Sequence, residues 1–262
     1  MKVLETERLS IGFGGVRAVD QISLAVEPGT VFSIIGPNGA GKSTLFNLIS
    51  GLYTPLDGRV RFAGEDVTGL APDRLARRGL SRTFQNLQIF FHMTALENVM
   101  VGRHRHESIS IWADLLHLPT VGRQNRRTRQ AAHDALALVG LNVAVNQPAG
   151  TLPYGALKRL EIARALASEP RVLLLDEPAA GCNPVETQQL DNVIRSIVKR
   201  GVTVVLVEHD MRLVMNISDR IHVLANGRTL AEGTVAEVRS NPEVVEAYLG
   251  VGGGAEVVHA VG

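Results

Sequence analysis

Gly36-Pro37-Asn38-Gly39-Ala40-Gly41-Lys42-Ser43-Thr44 follows the β-branched run Val31–Ile35 and precedes Leu45, Leu48 and Ile49, which are spaced as on a helix and closed by Gly51. The order strand, glycine loop, helix decides the fold class. Gly36-x-x-x-x-Gly41-Lys42-Ser43 is the spacing of a phosphate-binding loop. Its glycines let successive backbone N–H groups turn inward on an anion at a helix N-terminus, Lys42 adds a cation, and the Ser43 hydroxyl is a ligand for Mg²⁺. At average composition the bare pattern arises by chance in very roughly one chain of this length in a hundred, and the strand and helix around it lower that further.

Outward from this loop, composition narrows the field. The chain has 262 residues, long for one domain, with 45% apolar and 20% charged residues, a balance that fits a globular core and excludes a disordered chain. The 27 Lys and Arg are nearly matched by 26 Asp and Glu, so the basic excess of a nucleic-acid binder is missing and no nucleic-acid partner is expected. Cys182 is the single cysteine, which excludes a disulfide framework and a multi-cysteine zinc site. No apolar run reaches the roughly 18 to 20 residues that cross a bilayer, and Met1-Lys2-Val3-Leu4-Glu5 lacks a signal-peptide core, so a cytoplasmic location is expected.

Short alternating runs broken by Gly12, Gly14, Gly15 and Pro28-Gly29 predict a β-rich start. From Pro72 to about Gly140 the pattern turns helical and polar, with the basic stretch Arg123 to Arg129 expected to be a solvated helix face, since no aromatics interleave it. Leu157, Leu160, Ile162, Ala163 and Leu166 predict a helix, Val172 to Leu175 a buried strand, Pro184 to Lys199 a helix and Val202 to Val207 a strand. Short strands follow near Ile221 to Leu224 and Thr229 to Ala231. Strands alternating with helices predict an α/β fold with a mostly parallel sheet. The expected division is a β-rich and phosphate-loop part over 1–85, a helical subdomain over 86–160, the rest of the core over 161–250 and a Gly-rich tail over 251–262.

The strand Val172 to Leu175 ends in Asp176-Glu177. Carboxylates at the C-terminal end of a parallel strand stand where α/β sheets bind ligands, which suits Asp176 to hold Mg²⁺ through water and Glu177 to polarise an attacking water. Two acids after a strand, taken alone, are more often a surface turn; the phosphate loop tips the reading. His209, after Val202 to Val207 and Glu208, and Gln85, in Arg82-Thr83-Phe84-Gln85-Asn86, carry no such signal alone.

Together these residues resemble the ATP-binding subunit of an ABC transporter over nearly the whole chain: a P-loop NTPase with an ABC ATPase core of mixed sheet, an antiparallel N-terminal β portion and an inserted helical subdomain. By that resemblance Phe13 stacks on adenine, Gly36 to Thr44 is the Walker A loop, Gln85 the Q-loop residue and a further Mg²⁺ ligand. Asp176 is the Walker B aspartate, Glu177 the catalytic carboxylate, Ala180-Gly181-Cys182-Asn183-Pro184 the D-loop and His209 the switch histidine. Arg82 to Asn86, Met93-Thr94-Ala95-Leu96-Glu97-Asn98-Val99, Arg159 to Leu166 and Ala179-Ala180-Gly181 resemble the branched-chain amino acid importer ATPase of the LivG type. The resemblance implies ATP and Mg²⁺ as cofactors, a second ATPase subunit as partner in a hetero- or homodimer, and membrane permease subunits docked near Gln85 to Met93. It also implies an extracytoplasmic solute-binding protein reached indirectly, and a peripheral position on the cytoplasmic face of the membrane. The solute is selected by permease and binding protein.

One motif departs from the family. Its signature segment, Leu-Ser-Gly-Gly-Gln or, in this branch, Leu-Ser-Tyr-Gly-Gln, stands here as Leu152-Pro153-Tyr154-Gly155-Ala156. In the family this segment touches the nucleotide on the partner's phosphate loop. Pro153 has neither hydroxyl nor N–H, while the helix dipole and the Gly155 amide are expected to survive. A lost hydrogen bond to a charged group is worth about 1.5 to 3 kcal/mol, or roughly ten- to over a hundredfold. The expectation is a heterodimer with one strong and one weak composite site, or a slow homodimer. A nucleotide-gated subunit with little turnover and an exporter ATPase of the lipopolysaccharide-transport type are the alternatives. A non-transport ABC ATPase would need insertions or a second cassette that 262 residues do not hold.

Overall fold

Alternate residues of a strand point to opposite faces, and the apolar strands of this chain are buried on both. The computed structural model describes residues 2–104 and 119–249. Three strands carry the phosphate-loop half: β1 (Leu4–Phe13), β2 (Val16–Val26) and β3 (Val31–Ile35), followed by α1 (Lys42–Ile49). Next come β4 (Asp57–Phe62), β5 (Glu65–Asp66), α2 (Pro72–Arg78), β6 (Leu80–Arg82), α3 (Ala95–Val101) and α4 (Pro119–Leu138). The remainder is α5 (Tyr154–Leu166), β7 (Val172–Asp176), α6 (Pro184–Lys199), β8 (Thr203–Val207), α7 (Met211–Ile217), β9 (Arg220–Ala225), β10 (Arg228–Gly233), α8 (Val235–Arg239) and α9 (Pro242–Leu249). The tail expected over 251–262 lies outside the described residues.

The strands form two sheets. One is antiparallel in the order β2-β1-β4-β5; the other runs β10-β9-β3-β8-β7-β6 and is parallel except for β10. Val172, Leu174, Val205 and Val207 face a core that holds Leu45, Phe46 and Ile49 of α1 and the antiparallel sheet, whereas Leu173, Leu175, Val204 and Leu206 face α3 to α6. The helix α1 is therefore clasped between two sheets, and the loop that begins it opens at the centre of the larger one.

The runs Val31 to Ile35 and Pro184 to Lys199 fold as the sequence predicts, and Asp176 closes β7. The helical stretch expected from Pro72 to Gly140 is interrupted by β6, which pairs with β7 from Leu80↔Val172 to Arg82↔Leu174. Three residues are too few to show a period, and pairing with a buried neighbour is what makes them a strand. The stretch Arg123 to Arg129 lies on α4 with all four arginines exposed, a solvated face.

Candidate active site

Two glycines of the loop are fixed by the backbone beneath it. A Cβ at Gly36 would stand 2.2 Å from the Leu224 carbonyl oxygen of β9, and one at Gly41, whose φ is +100°, would stand 2.3 Å from that of Ala18 on β2. Any side chain there would push the loop off its bed. Lys42 is 8% exposed; its Nζ donates to the carbonyls of Gly36 (2.6 Å) and Pro37 (3.0 Å), so the ammonium stands inside the turn. Desolvation pushes its pKa down, and the charge of Glu177 works against that fall. Asn38 and Gly39 are exposed on the rim, Ala40 is buried under it, and Ser43, itself exposed, and Thr44 stand in the first turn of α1.

Two strands away, Asp176 is buried at the end of β7 with Oδ2 2.7 Å from Arg82 Nη2. Glu177 takes φ +46°, a conformation uncommon for a side-chain-bearing residue, and its N–H donates to Val207 O at 2.9 Å. That turn aims its carboxylate across the strand ends. Gln85 Nε2 donates to Glu177 Oε2 at 2.8 Å, and His209 Nδ1 lies 3.9 Å from the same oxygen, with its side chain 60% exposed. Gln85, Glu177 and His209, 92 and 32 residues apart in sequence, are thus brought to one point, and Lys42 senses the charge there.

Sequence reading passed over the residue that supports this point. Glu208 is 1% exposed, accepting from Ala179 N (2.8 Å) on one oxygen and from His209 N (2.8 Å) and Asp210 N (3.1 Å) on the other. It ties the loop after Glu177 to the loop bearing His209. Its signal was only adjacency to His209. Burial raises its pKa, the three N–H bonds opposing.

Phe13, at the end of β1, is 49% exposed, its ring edge-on to Tyr53 at 5.5 Å. The segment Leu152 to Ala156 lies beside the D-loop instead: Leu152 is buried, Pro153 is the N-cap of α5 with no side-chain bond, and Tyr154 Oη donates to Ala180 O at 3.2 Å. The Gly155 amide, expected to be available, donates to Glu186 Oε1 at 3.1 Å. The same carboxylate accepts from Asn183 N at 3.0 Å on its other oxygen, completing the capping box of α6. Its nearness in space, across 31 residues, could not be read from the sequence.

The donors suit a phosphate chain and its cation. Lys42 Nζ stands inside the turn of the loop, and Ser43, Gln85 and Asp176 bring oxygen-bearing side chains of the expected set. Among the described residues no three His, Cys, Asp or Glu side chains converge as a metal site of their own. Mg²⁺ takes one or two protein oxygens and completes its shell with phosphates and water, a demand that the Ser43 hydroxyl and the Asp176 carboxylate suit by their chemistry.

The family model for the ABC transporter matches residues 19–180. The chain belongs to the ATP-binding subunits of ABC transporters. As a member of that family it is a nucleotide-binding ATPase. A second model, described as the branched-chain amino acid ATP-binding cassette transporter, matches residues 228–253 of this ABC subunit. It is 47% identical over 249 residues to the high-affinity branched-chain amino acid transport ATP-binding protein BraF of Pseudomonas aeruginosa, and 42% identical to LivG of Escherichia coli (strain K12); each match covers 95% of this chain and 98% of the relative. Among solved structures, the ADP form of an ATP-binding cassette of an ABC transporter superposes with a TM-score of 0.84 at 35% identity, covering 95% of this chain and 99% of that one. A dimeric cassette bound to ADP and Pi superposes at 0.73 and 25% identity, covering 88% and 98%.

Proposed function

We propose that this ABC subunit hydrolyses Mg²⁺-bound ATP to power an importer for branched-chain or related amino acids, working as one of two ATPase subunits under membrane permeases at the cytoplasmic face. The relatives named for branched-chain amino acid transport support the solute class. The convergence of Gln85, Glu177 and His209 beside Lys42 carries the chemistry. The division into a nucleotide core and an inserted helical part over 86–160, and an extracytoplasmic binding protein that delivers the solute, belong to the same reading.

The loop amides of Gly36 to Thr44 and Lys42 Nζ hold the phosphates, Phe13 offers its ring face to the base, and Ser43, Asp176 and Gln85 hold the cation. Bound Mg²⁺ supplies charge neutralisation on the phosphate oxygens. Glu177 Oε2 accepts the proton of the attacking water, and His209 and Gln85, already grouped on that oxygen, orient it. Closing and reopening of the two-subunit assembly moves a permease segment seated in the groove near Gln85 to Met93. Leu152 to Ala156 face the partner's nucleotide. For Gly155 to donate there, Glu186 must first release its amide, so the composite site that uses this segment is the weak one of the pair.

Glu177→Gln tests the chemistry: turnover should fall by about a hundredfold or more, as loss of a general base does, while ATP binding persists and the closed dimer accumulates on a sizing column. Hydrolysis at the wild-type rate would remove Glu177 from its role. Uptake of labelled leucine by cells carrying the complete transporter, lost in the same variant, tests the solute class.

A further inference from the structure

A buried arginine outside the expected catalytic set holds the carboxylate on the metal side of the site. Arg82, at the end of β6, has a side chain 9% exposed and spends its fork on three neighbours. Nη2 donates to Asp176 Oδ2 at 2.7 Å; Nη1 donates to Asn47 Oδ1 at 2.8 Å and to Ser50 Oγ at 2.7 Å, both on or beside the C-terminal turn of α1. Its Cζ lies 5.5 Å from the ring centre of Phe46 and 5.4 Å from that of Phe84. Three bonds and two rings leave the guanidinium one position. It engages only one oxygen of Asp176. Phe84 is 43% exposed and, with Ser50, Leu52, Leu87 and Phe90, lines a groove of about 610 Å³.

We infer that Arg82 is a positioning residue that locks Asp176 through Oδ2, presents Oδ1 to the divalent cation, and connects that carboxylate to Phe84 on the groove wall. The inference rests on the reading of Asp176 as the metal-side carboxylate. A charge partner fixed behind a ligand is how outer-shell groups tune metal affinity, and their removal typically costs about ten- to a hundredfold. The planar fork matters as much as the charge, because a lysine ammonium is a single point and cannot span acceptors that two separate arms of the guanidinium reach. Through Arg82 the groove wall reaches the metal-side carboxylate by way of two contacts, Phe84 to guanidinium and guanidinium to Asp176.

The full-length subunit is titrated with Mn²⁺ in the presence of ADP, followed by electron paramagnetic resonance, and separately with ADP in EDTA, followed by calorimetry. Arg82→Lys is expected to weaken Mn²⁺ binding about tenfold and to leave metal-free ADP binding within about twofold, since Lys42 and the loop amides are untouched. Equal losses in both titrations would make Arg82 merely structural and overturn the inference. So would unchanged Mn²⁺ binding, provided Asp176→Asn weakens it; if Asp176→Asn changes nothing, the reading of Asp176 itself falls. Should Arg82→Lys fail to fold, the double variant Asn47→Ala, Ser50→Ala removes the guanidinium's other supports, with the same expected split and the same overturning results. Phe84→Leu, which deletes one ring face, should weaken Mn²⁺ binding about two- to fivefold; no change would sever the groove from the metal side.

Discussion

Single residues divide into those announced by their chain neighbours and those that meet only in space. Gly36, Gly41, Lys42 and Ser43 are legible because the loop's chemistry lies within nine consecutive residues. Arg82, Glu208 and Glu186 are not, since their bonds to Asp176, Ala179 and Gly155 span 94, 29 and 31 residues. Glu208 shows what such a residue is worth. In Glu208→Ala the His209 and Asp210 amides can turn to water, but Ala179 N is left buried without an acceptor, so denaturant unfolding should show a loss of about 2 to 3 kcal/mol. Turnover should fall as well, because the loop that brings His209 to Glu177 loses its tie. At the loop itself, Lys42→Ala should lower ATP affinity by about ten- to a hundredfold, read by calorimetry, as expected for a lost charge-assisted bond.

At the scale of elements, strands buried on both faces and a helix with a proline-led start announce themselves: β3, β7 and α6 stand where their residues put them. The short β6 and β5 do not, because their state is decided by the strand beside them. The start of α5 joins both lessons. Proline suits a helix start, and its backbone carbonyl accepts from Ala156 N at 2.9 Å and Leu157 N at 3.1 Å. Pro153→Ser would add a side-chain cap worth about 0.5 to 2 kcal/mol, and would return about 0.4 to 1 kcal/mol of entropy to the unfolded chain. The two nearly cancel, so the thermal midpoint should move little. Any gain belongs to hydrolysis: ATP turnover of the assembled pair should rise, and no rise with or without a partner subunit would detach Pro153 from the weak composite site.

For the whole molecule, the 27 Lys and Arg nearly balance the 26 Asp and Glu, and among the described residues no helix is long and apolar enough to cross a membrane. The seam of the large sheet carries its own acid response. His222, fully buried on β9, bonds Glu232 of β10 at 2.8 Å, and that bond, more than the burial opposing it, pulls the Glu232 pKa below its ordinary 4.5. A depressed carboxyl stabilises the fold above the unfolded value and loses that contribution as pH falls through the folded one. Glu232→Gln should therefore be less stable than the wild type near neutrality in urea titrations, with the gap closing below pH 4.5. The carboxylate of Glu186 has a consequence for timing. Because Glu186 is carried by α6 and also accepts from the first turn of α5, the two helices cannot part without baring the Gly155 amide at the start of α5. The segment at the start of α5 and the loop ahead of α6 therefore travel as one for as long as that carboxylate holds both amides.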